Sequence, residues 1–263
     1  MESFAAGWPS GVPPPAYRHV PRFDLNDPSG SQGMLSYLEE HGYAVAAKVL
    51  SDEQCAKALG LIWDFNEGMG TGVDRNDPTT WVNERWVENA ADLNGRASFG
   101  LGLANSEALW YIRSVPSVKK VWEALEGTDD LIVSIDALCQ FRPWGIEPSW
   151  RSSSGWFHTD RIAGPPLTPT QGLAGDCGVH TREYYQGLVN LIRTSPSTGG
   201  NVVIEGSHHH YEEIMERFDD PDAPRGSVNL DLESAVREMP DIFAKVMIAH
   251  LEAGDVFVCV LVK

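Results

Sequence analysis

The stretch Gly155-Trp156-Phe157-His158-Thr159-Asp160 decides how the rest of the sequence is interpreted. Side chains alternate between the two faces of a β-strand, so His158 and Asp160 are expected to point the same way and Thr159 the other. An imidazole and a carboxylate on one face form a chelating pair. Alone, such a pair is weak evidence, because most are ordinary polar residues. With a second imidazole it predicts the 2-His-1-carboxylate facial triad, which holds ferrous iron and leaves coordination positions open.

The composition predicts one folded domain with an acidic surface. The chain has 263 residues, and 42% of them are hydrophobic, which is enough for a substantial core. Twenty Lys and Arg residues against 37 Asp and Glu residues give a formal net charge of -17. Nucleic acid and anionic membranes would be repelled, so we expect neither as a partner. The composition leaves the oligomeric state open.

Cysteine usage and the amino terminus predict a cytoplasmic protein. The cysteines are far apart and form no Cys-x-x-Cys pair, which favours buried free thiols of a reducing compartment over a disulfide or zinc framework. The first residues lack the pattern of a signal peptide, and no apolar run is long enough for a membrane span. The four cysteines are Cys55, Cys139, Cys177 and Cys259.

Proline, glycine and serine divide the chain into an arm and a domain. Residues 1–30 are rich in all three, which predicts an irregular arm on the surface, and residues 31–263 are expected to form a single domain. Residues 66–100 are loop-like, yet contain Trp81 and Trp86. A loop of this length is a candidate lid, although both tryptophans could instead anchor it to the core.

Helical patterns come first along the chain, and strand patterns dominate after Gly127. Several strands with turn signals and no βαβ alternation predict a mainly β (α+β) fold, an antiparallel jelly roll with helices at one side. Helices are predicted at 33–40, after a capping box at Ser51–Gln54, and at 106–113, 117–125 and 211–218. Strands are predicted at 42–45, 131–141, 184–191, 199–204, 243–250 and 256–262.

Several short blocks, in a fixed order, carry a resemblance to a known family. Together they resemble the phytanoyl-CoA dioxygenase-like group of iron(II)/2-oxoglutarate oxygenases, over roughly residues 34–262. The resemblance implies a double-stranded β-helix, a form of jelly roll, with flanking amino-terminal helices, Fe(II) and 2-oxoglutarate as cofactors, and a small organic substrate. The blocks are Gly155–Asp160, Gln186–Leu191, Thr198–Ile204, Gly206–His208 and Gly254–Asp255.

The resemblance carries His158 and Asp160 over as two metal ligands. The family's third ligand is a histidine beyond the Gly-Asp turn, followed by a basic residue that pairs with the distal carboxylate of 2-oxoglutarate. Only residues 256–263 follow Gly254-Asp255 here, and neither residue is among them. We therefore expect a truncated oxygenase, a degenerate relative without catalysis, or a substitute histidine. Absent final strands would leave an open edge beside the strand at 256–262.

Three histidine positions are candidates for a substitute ligand. His250 precedes the Gly-Asp turn, where a strand-end histidine partly in solvent is the simpler interpretation. His180 lies in the loop after the metal pair and could approach the site or be exposed. The run His208–His210 is predicted to be a solvated loop that opens the next helix.

Gln140, Gln186 and Asn190 are predicted to bind 2-oxoglutarate or line the cavity. Gln140 lies on the strand whose counterpart in the family contacts the co-substrate, although a structural role is an equal alternative. Gln186 and Asn190 fall on one face of their strand. Arg142 and Arg161 flank the site and are candidates to receive an anionic group, with surface salt bridges as the alternative. The tryptophans near this mouth are Trp144, Trp150 and Trp156.

The sequence therefore predicts an iron(II)/2-oxoglutarate dioxygenase-like enzyme that oxidises, most simply by hydroxylation, a small organic molecule. The alternative is a catalytically inactive or truncated jelly-roll protein that binds a small molecule and lacks the third metal ligand. A cupin-like hydrolase or isomerase would need more histidines near the site. Asp160 argues against a halogenase but does not separate hydroxylation from desaturation or cyclisation.

Overall fold

A computed structural model describes residues 14–86, 102–136, 138–150, 157–160, 184–218 and 227–262. The α-helices are α1 (Gly30–His41), α2 (Asp52–Gly68), α3 (Glu107–Ser114), α4 (Pro116–Glu126), α5 (Tyr211–Phe218), α6 (Leu232–Glu238) and α7 (Pro240–Phe243). The strands are β1 (Ala16–Arg18), β2 (Tyr43–Ala46), β3 (His158–Asp160), β4 (Tyr184–Val189), β5 (Val202–Ile204), β6 (Ser227–Asn229), β7 (Val246–Ala249) and β8 (Val256–Val262).

The strands form three small sheets. One has the order β1-β7-β5, with β1 parallel and β5 antiparallel to β7. The second has the order β2-β8-β4 and is antiparallel, and β3 pairs with β6 in the third. The α+β prediction is confirmed. The described strands do not close into a barrel, so the predicted jelly roll is not visible as a closed structure.

Strand β8 is the centre of the second sheet. It is apolar along its whole length, and Val256, Phe257 and Val258 are at most 1% exposed. It pairs with β2 from Tyr43 to Ala46 and with β4 from Tyr184 to Val189. The prediction of an open edge beside this strand is therefore wrong, because β2 and β4 occupy its two sides.

Local signals in the sequence fix the helices correctly. The Ser51 hydroxyl accepts a hydrogen bond from the Gln54 amide, and the Gln54 side chain accepts one from the Ser51 amide, which is the predicted capping box. Pro116 separates the two predicted helices by opening α4, where its missing N–H costs no hydrogen bond. The face of α2 that packs inward includes Cys55, Ala58 and Ile62.

Two predictions of secondary structure differ from what the structure shows. The strand expected at 131–141 is absent from its described residues, and Ile132 is 90% exposed. Its β-branched composition favours a strand, but composition alone supplies no partner to pair with. The arm at 1–30 is not wholly irregular, since β1 lies inside it and pairs with β7. The predicted elements do not include β6, α6 or α7, although Asp231 caps α6 and Pro240 opens α7.

The carboxylate of Asp255 joins three distant segments of the chain. Its side chain is fully buried. Arg22 Nε and Nη2 donate to its two oxygens at 2.8 Å each, and the amides of Lys48 and Glu252 donate to it at 3.1 and 2.8 Å. Hydrogen bonding to Asp255 raises the pKa of Arg22. Asp255 therefore binds the arm, the link between β2 and α2, and the turn between β7 and β8.

Two residues near Asp255 have left-handed backbone conformations. Lys48 adopts φ +53°, a left-handed conformation that a lysine keeps only when its surroundings compensate, as the bond to Asp255 does. Gly254 has φ +86°, and a Cβ there would lie 2.2 Å from the Leu50 carbonyl oxygen. The glycine of the Gly-Asp turn is thus required by both conformation and space.

The structure tests the prediction of buried free thiols for three of the four cysteines. Cys55 is buried and Cys259 half-buried, but Cys139 is exposed, so the prediction of buried thiols is wrong for Cys139. Cys177 lies outside the described residues.

None of the described helices combines the length and the apolar character that crossing a membrane requires.

Replacing the buried carboxylate should destabilise the whole chain. In Asp255→Asn, an amide N–H₂ would face donors that now point at a carboxylate oxygen, and Arg22 would lose its counter-charge. We expect the free energy of unfolding in urea to fall by about 3 to 5 kcal/mol. The matched control is Glu123→Gln in the exposed α4 pair with Lys119, expected to change it by less than about 0.5 kcal/mol. Equal effects of the two substitutions would contradict this role of Asp255.

Candidate functional site

Strand β3 carries the His-x-Asp pair. It is antiparallel to β6, with His158 opposite Asn229 and Asp160 opposite Ser227. Because the period of a strand is two residues, positions 158 and 160 lie on the same face of this ladder. The strand geometry on which the predicted chelating pair depends is therefore present.

A hydrophobic cluster anchors β3 from its amino-terminal end. The Leu230 amide donates to the Phe157 carbonyl oxygen at 2.7 Å. The Phe157 ring packs against the cluster, whereas Trp156 lies outside the described residues. Phe157 thus attaches the start of β3 to the helices α5, α6 and α7. The buried members of the cluster are Ile214, Leu230, Leu232, Ala235, Met239, Ile242 and Phe243.

The donor types at β3 suit ferrous iron, but the described residues supply fewer than three ligands. The side chain of His158 is exposed and so accessible to a ligand. An imidazole and a carboxylate are two of the three donors of a facial triad. Among the described residues, no group of three His, Cys, Asp or Glu side chains could hold a metal ion. His180 and Arg161 lie outside the described residues.

The other candidate histidines are engaged elsewhere in the fold. His250 was expected partly in solvent but is 8% exposed, and its Nε2 contacts Glu252 Oε1 at 2.8 Å. His208 is 7% exposed, with Nε2 at 2.9 Å from the Glu39 carbonyl oxygen. The prediction of a solvated loop is therefore wrong for His208, although His209 is exposed and the segment opens α5 as expected.

The predicted co-substrate residues lie on other elements than β3. The Gln140 and Asn66 side-chain amides contact each other at 3.0 and 3.3 Å, which attaches Gln140 to α2. Asn190 Nδ2 donates to the carbonyl oxygens of Ile192 and Glu252, so it holds the turn between β7 and β8. Gln186 is exposed on β4. These contacts do not assemble the predicted pocket, and the binding roles of the three residues stay predictions.

Arg142 is buried rather than available at the mouth of a site. It is 4% exposed, and its Nη1 and Nη2 donate to the Trp81 carbonyl oxygen and Asn83 Oδ1 at 2.7 Å each. The guanidinium lies 5.4 Å from the ring centroid of Trp86 and 4.9 Å from that of Trp150. Burial lowers the pKa of Arg142. The prediction that Arg142 is an exposed receptor for an anionic group is therefore wrong.

The described part of the candidate lid, residues 66–86, is anchored. Trp81 contacts Trp63 of α2 at a centroid distance of 5.1 Å, and its indole N–H donates to the Asp74 carbonyl oxygen. Arg75 Nε donates to both carboxylate oxygens of Glu67 at 3.0 Å, which lowers the pKa of Glu67. The interpretation of the tryptophans as anchors is confirmed for this part of the loop.

Comparison with known proteins supports the resemblance to dioxygenases. No family model matches the chain. The chain is 26% identical over 196 residues to a Dictyostelium discoideum protein named "Putative phytanoyl-CoA dioxygenase", which covers 68% of this chain and 56% of that protein. It is 22% identical over 178 residues to "Ava biosynthesis cluster protein O" of Aspergillus versicolor, covering 68% of this chain and 51% of that protein.

These similarities have a defined extent. The chain spans about half the length of the curated relatives it matches. The resemblance to phytanoyl-CoA dioxygenase-like proteins, predicted from the ordered blocks, is confirmed by the first of them.

Acid should release the anchored loop through Glu67. Because its pKa is lower in the folded than in the unfolded chain, its stabilising contribution is present above the unfolded value of about 4.3 and is lost as the pH falls through the folded value. We expect an acid titration of tryptophan fluorescence to show this loss in the wild type. The transition should be diminished in Glu67→Gln but retained in Glu126→Gln on α4. Identical titrations in all three proteins would contradict it.

Arg142 should be irreplaceable by lysine. A lysine ammonium lacks the planar fork of donors through which Arg142 donates to Trp81 and Asn83 at once. We expect Arg142→Lys to lower the free energy of unfolding by about 2 kcal/mol and to make residues 70–86 more sensitive to limited proteolysis. Arg217→Lys in the exposed α5 pair with Glu213 is the control. Full retention of stability in Arg142→Lys would show that the guanidinium geometry is unimportant.

Proposed function

We propose that this chain is an iron(II)/2-oxoglutarate-dependent dioxygenase that oxidises, most simply by hydroxylation, a small organic molecule in the cytoplasm. The observation that carries the proposal is the position of His158 and Asp160 on one face of β3, in a chain similar to a protein named as a phytanoyl-CoA dioxygenase. The sheets β1-β7-β5 and β2-β8-β4 are proposed to belong to a double-stranded β-helix.

His158 and Asp160 would hold the ferrous iron. When bound, the metal and 2-oxoglutarate together supply the oxidising power that protein side chains lack. The packing of Phe157 against the cluster of α5, α6 and α7 supports the start of β3, the strand that carries both proposed ligands. The imidazole of His158 is exposed on this strand.

Gln140, Gln186 and Asn190 are the residues proposed to bind 2-oxoglutarate or line the cavity. Gln186 is exposed on β4. Gln140 would first exchange its contact with Asn66, and Asn190 would release the two carbonyl oxygens to which it now donates. The net charge of -17 supports a substrate other than a polyanion.

Replacing His158 should abolish iron-dependent turnover of 2-oxoglutarate. With added iron(II) and oxygen, we expect succinate release by His158→Ala to fall more than about 100-fold below wild type, because loss of groups that merely support a metal ligand already costs about 10- to 100-fold. His209→Ala, at an exposed histidine beside α5, is the matched control and should retain activity.

Two results would contradict the assignment, and they are distinguishable. Equal succinate release from wild type and His158→Ala would remove His158 from the site. No release from wild type, together with iron binding that His158→Ala abolishes, would indicate a binding protein without catalysis. Iron binding is measured by equilibrium dialysis under anaerobic conditions.

A further inference from the structure

A second cluster of titratable side chains lies where β1 meets the end of β7, in a different sheet from β3. We call it the His250 cluster, and it consists of Tyr17, His19, His250 and Glu252. The sheet brings these residues together because β1 and β7 are parallel and in register from Ala16–Met247 to Arg18–Ala249. The His250 amide continues this pairing by donating to the Arg18 carbonyl oxygen at 2.8 Å.

The imidazole of His250 is held at both ring nitrogens. Nδ1 is hydrogen-bonded to the Tyr17 hydroxyl, and Nε2 contacts Glu252 Oε1 at 2.8 Å. The same Tyr17 hydroxyl lies 2.7 Å from the carbonyl oxygen of Thr194, a residue that is 5% exposed. The side chain of His250 is only 10% exposed, so water can replace few of these bonds.

Counting protons determines which group donates in each contact. A phenol hydroxyl has one proton, and the Thr194 carbonyl oxygen can only accept, so the 2.7 Å contact uses the Tyr17 proton. The contact between Tyr17 and His250 then needs a proton on Nδ1. The contact with Glu252 needs one on Nε2, provided that Glu252 is ionised. All three bonds exist together only when His250 is an imidazolium.

The side chain of Glu252 lies in contact with water and near a cation. Its side chain is 39% exposed to water, and its charge acts on the Arg22 guanidinium, whose pKa it helps to raise. Among the described residues, His19 also faces His250, and the two ring centroids are 4.3 Å apart. Two positive charges at this distance would repel each other.

We propose that His250 holds both ring protons in the folded chain and acts as a pH-sensitive latch between β1, Thr194 and Glu252. When His250 loses the Nδ1 proton, the Tyr17 hydroxyl can donate to Nδ1 or to Thr194 but not to both. One of the three bonds is lost, and β1 is held less tightly to the rest of the sheet. The latch is complete at lower pH, where His250 holds both ring protons, and loosens at higher pH, where it holds one.

The test measures the protonation of the His250 ring and the protection of β1 from hydrogen exchange separately, in the full chain. Nitrogen NMR of histidine-labelled protein reports whether one or both His250 ring nitrogens are protonated. Hydrogen exchange of a peptide spanning β1 reports how tightly the strand is held. Both are recorded from about pH 5 to about pH 9, the range in which histidines titrate, with exchange corrected for its intrinsic dependence on pH.

We expect two protonated nitrogens at the low end of the series. Protection of β1 should then decrease by about 2- to 10-fold as the pH rises, the effect of one net hydrogen bond. Tyr17→Phe keeps the ring but removes the hydroxyl, so it should abolish this pH dependence. His19→Phe removes the other titratable ring and should retain it, and so should His209→Asn, which alters an exposed histidine.

Several outcomes would overturn the latch. They are an unprotonated Nδ1 throughout the series, β1 protection that does not vary with pH, or the same pH dependence in Tyr17→Phe as in the wild type. The readouts involve neither iron nor 2-oxoglutarate. The inference can therefore fail or succeed independently of the proposed function.

Discussion

The buried carboxylate of Asp255 is the constraint on which the rest of the structure depends. A charge without solvent exposure is stable only if its bonds are complete, and Asp255 receives four, two from Arg22 and two from backbone amides. This requirement brings the arm into the fold next to β1. It also fixes the turn that leads into β8, the central strand around which β2 and β4 are arranged.

The elements with strong local signals could be predicted from the sequence. The capping box at Ser51 and the proline at 116 each act within one helical turn, so α2, α3 and α4 needed no tertiary information. Strand β8 was evident from its unbroken apolar run. In contrast, β1 and β6 have three residues each and exist only through their partners, so nothing in their own sequence distinguishes them from loop.

The candidate site also has features that could be predicted from the sequence and features that could not. The His158–Asp160 pair is a short-range pattern, and the strand that carries it was predictable. The engagement of Arg142 was not, because the carbonyl group of Trp81, to which it donates, lies 61 positions away in the chain. Likewise, the role of the Gly-Asp turn as the binding partner of Arg22 was hidden, since 233 positions separate Arg22 from Asp255.

The exposed segment Leu131–Ile135 has a consequence for behaviour in solution. Ile132 and Ile135 are 90% and 56% exposed, and none of the backbone hydrogen bonds described between elements involves this stretch. A β-branched run in this state is where one molecule can add a strand to another as concentration rises. Asp129 and Asp130 on one side and Asp136 on the other act as gatekeepers, because pairing two copies in antiparallel fashion sets carboxylates against each other.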